Sequence, residues 1–176
     1  MALLILSYSR TGNNRLLAQT VARRTGAVIE EVQPMGWYPL PRVIWQMATG
    51  RLPRVRTLRH EIAAYDRLLV MAPVWDRHVA FPMIAALRKV KAEVRRYDFV
   101  SLCGYVRDRQ DETIREELVE VVGHPPDAQM ELHVGDLLPE AFRNDPRKVS
   151  ARQLTMADLD VFSAQIDRIV GWYNPA

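Results

Sequence analysis

The stretch LLILSYSRTGNNRLLAQTVA, residues 3–22, joins a strand pattern, a polar turn and a helix pattern. Leu3 to Leu6 form a continuous apolar run, as a strand covered on both faces requires. The turn over residues 7–14 is rich in small hydroxyl and amide side chains. At such a turn, free backbone N–H groups and the positive end of the helix dipole both favour an anion. The stretch therefore predicts a phosphate-binding loop after the first strand.

Side chains of this turn strengthen the prediction. Gly12 allows the backbone to bend without a Cβ in the way, and its neighbours supply hydrogen-bond donors or positive charge. The residues expected to hold the anion are Ser9, Arg10, Thr11, Gly12, Asn13 and Asn14. Ser, Thr and Asn are also the favoured helix-capping residues. Because four of them plus a glycine exceed what one cap needs, binding is favoured over simple capping.

Composition bounds the class of protein. With 176 residues, 48% of them hydrophobic, the chain is expected to be one globular domain spanning residues 1–176. No apolar run approaches the roughly 20 residues of a membrane span, and no basic segment precedes the first strand as in a secretory signal. The single cysteine excludes an internal disulfide framework, and without a CxxC pair no metal site is expected. These features together predict a cytoplasmic protein.

Positive charge is concentrated in one segment. The net charge is only +3, but residues 34–60 hold five arginines and no acidic residue. A basic segment can bind nucleic acid, yet no nucleic-acid motif accompanies this one, so no nucleic-acid partner is expected. An anionic substrate, cofactor or partner is the favoured occupant.

The rest of the chain alternates between strand and helix patterns. Further strands are predicted at residues 27–32, 67–72, 98–103 and 128–134. Gly26 ends the first helix, Pro82 begins another whose apolar stripe runs to Val94, and Thr155 caps the last. Residues 33–60, rich in proline, form an insertion that includes a short helix over 42–49. The pattern predicts an α/β fold built on an open parallel sheet.

Ligands of such sheets bind where the strands end, beside the first strand. Three loops are expected to converge there: residues 7–14, 73–78 and 103–107. This edge of the sheet is therefore the predicted site.

Two of these loops carry a family resemblance. SYSRTGNN between a strand and a helix resembles the phosphate loop of the flavodoxin superfamily, and APVW, residues 72–75, resembles its flavin-stacking loop. The resemblance covers nearly the whole chain and is closest to flavodoxin family proteins with an insertion after the second strand. It implies a three-layer sandwich with a five-stranded parallel sheet in the order 2-1-3-4-5, and FMN as the ligand.

The resemblance also implies roles for individual residues. Ser9 to Asn14 would hold the FMN phosphate, and the flat Trp75 ring would stack on the isoalloxazine. The other residues expected around the ring are Pro73, Val74, Asp76, Cys103, Gly104 and Tyr105. The sequence departs from the family pattern at Asn14, where a threonine is usual, and in the third loop, which lacks a glycine run and carries Arg107 and Arg109.

Several residues have a simpler interpretation. Cys103 is expected to be a small buried residue rather than a nucleophile. His60, His124 and His133 show no metal-ligand spacing, and His78 is expected on a surface loop. The aromatic residues Trp37, Tyr38 and Trp45 are compatible with covering the flavin, lining a dimer interface or packing the insertion.

Three functions follow from the resemblance. The first is an FMN-dependent oxidoreductase that passes electrons from NAD(P)H to a quinone or another small acceptor. The second is a one-electron carrier that docks on a redox partner protein; such carriers tend to be acidic, whereas this chain is basic. The third is a flavin-free binding module, which the intact phosphate loop disfavours. Relatives are often dimers, so a homodimer is among the expectations.

Overall fold

A five-stranded parallel sheet forms the centre of the computed structural model, which describes residues 1–173. Its strands are Leu3–Ser7 (β1), Val28–Glu31 (β2), Arg67–Met71 (β3), Tyr97–Cys103 (β6) and Gln129–His133 (β7). They run in the order β2-β1-β3-β6-β7. Val74–Trp75 (β4) and His78–Val79 (β5) form a separate antiparallel hairpin. Counting the sheet strands alone, the order is 2-1-3-4-5, so the predicted fold class is confirmed.

Helices cover both faces of the sheet. They are Asn13–Thr25 (α1), Leu40–Thr49 (α2), Phe81–Val90 (α3), Gln110–Val122 (α4), Pro146–Ala151 (α5) and Ser163–Gly171 (α6). One apolar core joins the sheet to α3 and α4, and a second joins the opposite face to α1 and α6. Both faces of the central strands are buried, which is why these strands are continuous apolar runs instead of alternating ones.

The unit β1–turn–α1 is built as its sequence predicts. All five residues of β1 are buried. In α1 the buried apolar residues Leu17, Ala18, Val21 and Ala22 face the sheet. Gly26 ends the helix in the left-handed conformation, with its N–H donating to the Ala22 carbonyl at 2.8 Å.

The C-terminal third differs in detail from the sequence prediction. Residues 157–162 form a 3₁₀ segment, so the last α-helix begins only at Ser163. The prediction that Thr155 caps this helix is wrong, because its N-cap is Phe162; the Thr155 N–H and hydroxyl instead donate to the Asp158 carboxylate, at 2.7 and 2.8 Å. The helix α5 lies in a stretch that had no helical pattern, and α3 ends at Val90, before the predicted Val94.

The segment 33–60 is anchored at both ends. Its two arms pair through the Met35 N–H on the Arg54 carbonyl, at 2.8 Å, and the Arg56 N–H on the Gln33 carbonyl, at 2.9 Å. The helix α2 lies between these arms. Lys89 of α3 donates to the Val55 carbonyl at 2.8 Å, which ties the segment to the α3 side of the sheet.

A buried ion pair lies at the amino ends of the strands. Asp98 is fully buried and accepts two hydrogen bonds from the Arg67 guanidinium, both at 2.7 Å. The Tyr173 hydroxyl donates to the same carboxylate at 2.7 Å. The pair therefore joins β3, β6 and the C-terminal end of the described chain. Within residues 1–173, none of the helices has both the length and the apolar character that crossing a bilayer would require.

Candidate functional site

A cleft of about 350 Å³ opens at the carboxyl ends of the sheet strands. It contains ten of the residues that the sequence assigns to the site: Arg10, Thr11, Asn13, Asn14, Pro73, Val74, Trp75, Cys103, Gly104 and Tyr105. Ser9, Gly12 and Asp76 do not line it. The three loops therefore converge as the parallel topology requires, since all of them follow carboxyl ends of strands.

The turn before α1 forms one end of this cleft. Gly12 has φ +98°, a conformation that a residue with a side chain adopts only with strain. Its N–H donates to Ser9 Oγ at 3.0 Å, so Ser9 shapes the turn instead of lining the cleft. The N–H groups of the first turn of α1 lack intrahelical acceptors, as at every helix start. An anion at this end of the cleft would accept hydrogen bonds from those N–H groups.

The two asparagines of the loop use their amides within the protein. Asn14 is bonded to Leu102, with its amide donating to the carbonyl at 2.9 Å and accepting from the N–H at 3.0 Å. Asn13 donates to the Arg152 carbonyl at 2.9 Å and accepts from the Leu154 N–H at 3.0 Å. Both side chains were expected to donate to an anion. Their hydrogen bonds within the protein give them a structural role that competes with that one.

The remaining polar side chains of the loop are available. Both Arg10 and Thr11 are exposed, and neither side chain has a hydrogen-bond partner among residues 1–173. A guanidinium and a hydroxyl beside a helix N-terminus are donors suited to a phosphate.

The Asn14 contact has a topological cause. β3 pairs with β6 only as far as Met71 opposite Val100, apart from one further bond from the Ala72 N–H to the Val100 carbonyl. Beyond Val100, the N–H and carbonyl of Leu102 face the β3 side of the sheet, where β3 no longer offers them a partner. The Asn14 amide supplies the donor and the acceptor that the missing strand residue would have provided.

Trp75 forms an aromatic wall of the cleft. It lies half-buried on the hairpin, with its ring edge-to-face against the buried Tyr8 ring at a centroid distance of 5.9 Å. The turn of this hairpin is Asp76-Arg77, with φ of 48° and 70°. Positive φ at both central residues is the geometry of a tight hairpin turn, which is usually filled by Asn-Gly. Non-glycine residues here carry strain of about 1–3 kcal/mol each.

Arg107 joins two of the site loops across the rim. Its guanidinium donates to the Asp76 carboxylate and to the Tyr105 hydroxyl, the latter at 3.0 Å. It also lies 5.2 Å from the centre of the Tyr105 ring. Asp76 therefore holds Arg107 in place from outside the cleft.

The helix α2 contributes a wall that the sequence assignment missed. Its residues Leu40, Val43, Ile44 and Met47 line the cleft. Their i, i+3, i+4, i+7 spacing was the available signal, since it marks one face of a helix. Of the three insertion aromatics considered for covering a ligand, none lines this cleft, and Trp37 is 83% exposed.

The opposite wall comes from the C-terminal third of the chain. Val134, Pro146, Val149 and Ser150 line the cleft there. Gly104 packs against this wall so closely that a Cβ on it would lie 3.1 Å from Val149 Cγ1. A side chain at position 104 would displace the Val149 side chain by a few tenths of an ångström, so glycine permits this close contact.

Strand order decides the classification, since a parallel sheet ordered 2-1-3-4-5 with helices on both faces is that of flavodoxin. The chain has a flavodoxin-like fold. Solved structures agree: it aligns with an FMN complex of a flavoprotein from Lactobacillus acidophilus NCFM, at 19% identity and a TM-score of 0.60, over 74% of this chain and 92% of that one. It also aligns with an NADPH-quinone reductase from P. pentosaceus, at 8% identity and a TM-score of 0.55, over 100% and 99%.

Sequence comparison gives no closer assignment. No protein-family model matches the chain, and no curated protein matches it significantly. The likeness to the solved structures therefore lies in the flavodoxin-like fold.

Two tyrosines and the cysteine beside the flavodoxin-like cleft stay neutral. Burial, followed by the neighbouring Tyr38, raises the pKa of Tyr8, and burial raises the pKa of Tyr38 to about 12 against the lowering effect of Arg42 and Arg10. Burial, with the Glu131 carboxylate behind it, raises the pKa of the Cys103 thiol. A protonated, buried thiol is a poor nucleophile, as the sequence suggested.

Proposed function

We propose that this chain binds FMN and acts as a flavin-dependent oxidoreductase. One observation carries the proposal: a single cleft has a helix N-terminus with free donors at one end and an aromatic, aliphatic slot along its length. A phosphate fits the first part, and a flat heteroaromatic ring fits the second. The cleft volume of about 350 Å³ lies within the range of about 300–1,000 Å³ that is typical of ligand pockets.

The residues present match the two ends of FMN. Thr11, Arg10 and the first N–H groups of α1 would hold the phosphate. Trp75 and Tyr105 offer ring faces beside the slot, and the aliphatic residues of α2 would exclude water from the ring. Excluding water strengthens any hydrogen bond made to the ring edge.

The substrates are proposed from charge and openness. When bound, FMN itself supplies the hydride or electron transfer, so the protein needs no acid or base of its own for this step. Arg10 and Arg107 line the cleft, and five further arginines belong to the segment 34–60, whose helix α2 supplies one cleft wall. This positive field favours NAD(P)H as the anionic donor. A quinone or another small acceptor would then use the same slot.

The alternative electron-carrier role requires a protein partner to dock at the rim of the cleft. The carriers of this fold tend to be acidic, whereas this chain has a net charge of +3. An oxidoreductase is therefore the stronger proposal, and the third reading, a flavin-free module, is disfavoured by the free donors beside α1.

The test starts with reconstitution. We expect the purified chain, mixed with FMN and freed of excess, to retain the visible flavin bands. Thr11→Ala and Trp75→Ala should both weaken retention, while Thr49→Ala, at the exposed end of α2, should leave it unchanged. A wild-type protein that retains no flavin at micromolar FMN refutes the proposal.

A second step separates the enzyme from the carrier. The FMN-loaded protein is mixed with NADH or NADPH and a soluble quinone, and nicotinamide oxidation is followed by absorbance. Steady turnover supports the oxidoreductase. Retained flavin without oxidation of either nucleotide supports the carrier instead.

A further inference from the structure

Three potential metal ligands meet beneath the loop that follows β6. Cys103 Sγ lies 3.6 Å from Glu131 Oε2, and His133 Nε2 lies 3.5 Å from the same oxygen. The three donor atoms all lie within 4.8 Å of one another. Cys103 is 5% exposed, and the Glu131 and His133 side chains are 11% and 18% exposed. The cluster is thus compact and largely shielded from solvent.

Strand pairing brings these residues together. Cys103 pairs with His133 across β6 and β7, and Ser101 pairs with Glu131. In parallel strands, residues two apart share a face, so one side of the ladder carries a thiol, a carboxylate and an imidazole. Gln110, the first residue of α4, closes the cluster with its amide 2.5 Å from Glu131 Oε2 and 3.7 Å from Cys103 Sγ.

The spacings match those around a tetrahedral cation. With metal–sulfur and metal–oxygen distances of about 2.3 and 2.0 Å, a tetrahedral zinc centre places its sulfur and oxygen ligands about 3.5 Å apart. The corresponding nitrogen–oxygen separation is about 3.3 Å. The two separations to Glu131 Oε2, 3.6 Å from Cys103 Sγ and 3.5 Å from His133 Nε2, lie within a few tenths of an ångström of these values.

The protein alone leaves one oxygen of the Glu131 carboxylate without a hydrogen-bond partner. Glu131 Oε1 is buried without a hydrogen-bond partner among residues 1–173, and so is the hydroxyl of the fully buried Ser101. No lysine or arginine of the described chain pairs with Glu131, and its contacts are Gln110, Cys103 and His133. Among the residues that the structure describes, the only group that can offer Glu131 a positive charge is the His133 imidazole, and a bound dication compensates the buried carboxylate whether or not that imidazole is protonated.

We propose that Cys103, Glu131 and His133 bind one divalent cation of the zinc class, with Gln110 beside it. Thiolate, imidazole and carboxylate are the ligand types that zinc takes, and a coordinating thiol loses its proton to the metal. The Gln110 amide either holds Glu131 in place or, turned over, offers its oxygen as a fourth ligand. The cation joins β6 to β7 and fixes the start of the Gly104–Arg107 loop on the cleft wall.

The first test uses the wild-type chain and the metal alone. The protein is dialysed against buffer containing Zn²⁺, then against metal-free buffer, and its zinc content is measured; about one ion per chain is expected. Titration with Co²⁺ should produce the near-ultraviolet absorption of a cobalt–thiolate bond. Because Cys103 is the only cysteine, this band can come from no other residue.

Variants locate the site. Cys103→Ser and His133→Gln should lose the retained zinc, and Gln110→Leu should weaken binding about 10–100-fold, as expected for a residue that orients a ligand. His124→Gln is the matched control, because its ring lies at the other end of the sheet, where it hydrogen-bonds to backbone carbonyls and packs against Tyr97. Circular dichroism verifies that each variant is folded.

Two results overturn the proposal. One is a wild-type protein that retains no zinc and shows no cobalt–thiolate band. The other is zinc retention that survives Cys103→Ser unchanged. If Cys103→Ser fails to fold, the wild-type cobalt band still decides, since its presence requires the Cys103 sulfur as a ligand.

Discussion

Replacing Asn14 with alanine separates the structural role of the phosphate loop from its binding role. The Asn14 amide makes two buried hydrogen bonds to the Leu102 backbone, at 2.9 and 3.0 Å, where β3 no longer reaches β6. Asn14→Ala leaves a buried N–H and a buried carbonyl without partners. Each such group costs about 1–3 kcal/mol, partly offset where water enters the gap.

We therefore expect Asn14→Ala to lower the free energy of unfolding by about 2–4 kcal/mol. For a chain of this size, each kcal/mol shifts the melting temperature by about 2–4 °C, so the midpoint should fall by about 4–16 °C. The assay is urea and thermal unfolding of the flavin-free protein, followed by far-ultraviolet circular dichroism.

Thr11→Ala is the matched control in the same loop. Its hydroxyl is exposed and has no partner within the described chain, so unfolding should change by less than about 0.5 kcal/mol while FMN retention falls. The reasoning is refuted if Asn14→Ala unfolds like the wild type but loses FMN, because its amide would then serve the ligand and not the sheet.

Three further outcomes are expected from other parts of the chain. Asp98→Ala should lower the free energy of unfolding in urea by about 3–5 kcal/mol, because the largely buried Arg67 keeps only its longer ion pair with Asp127, at 3.4 Å, and the buried Tyr173 hydroxyl loses its acceptor; a loss under 1 kcal/mol would contradict this. Burial raises the pKa of the Glu117 carboxyl above its usual value, so the folded state holds the carboxyl proton more tightly than the unfolded state does. The stability that this proton contributes is lost as pH rises through the folded-state pKa. Urea unfolding between pH 4 and 7 should therefore show the wild type losing stability relative to Glu117→Gln as pH rises, and a constant difference would argue against it. Ile44→Ser should weaken FMN binding by about 1–2 kcal/mol, which is roughly 5–30-fold in the Kd measured by fluorescence titration. Trp45→Ser, at the next residue but outside the cleft, should leave the Kd unchanged, and equal effects of the two variants would place the ligand elsewhere.

Local sequence patterns predicted the scaffold of this protein. Strand patterns of four to seven residues, helical spacing and glycine or proline boundaries depend on neighbouring residues, so they can be recognised without knowing the fold. They located the five sheet strands to within a residue or two, and the turn at Gly12. Parallel topology then implied the strand-end edge at which Thr11, Trp75 and Tyr105 meet.

Tertiary structure alone decided how the polar groups are used. Asn14 and Leu102 lie 88 residues apart, and Asn13 and Arg152 lie 139 apart. Whether an amide faces a ligand or a strand depends on where β3 stops, which no local pattern encodes. The α2 wall likewise required the position of residues 33–60 relative to the sheet.

The cluster of Cys103, Glu131 and His133 shows the same limit. Spacing along the sequence gave no metal-ligand pattern, because the cysteine and the histidine are separated by a helix and meet only through the register of β6 and β7. The sequence by itself determined which segments become strands and helices, since those choices are local. Only the tertiary structure decided which side chains face one another, because strand register and helix packing are set by the whole core.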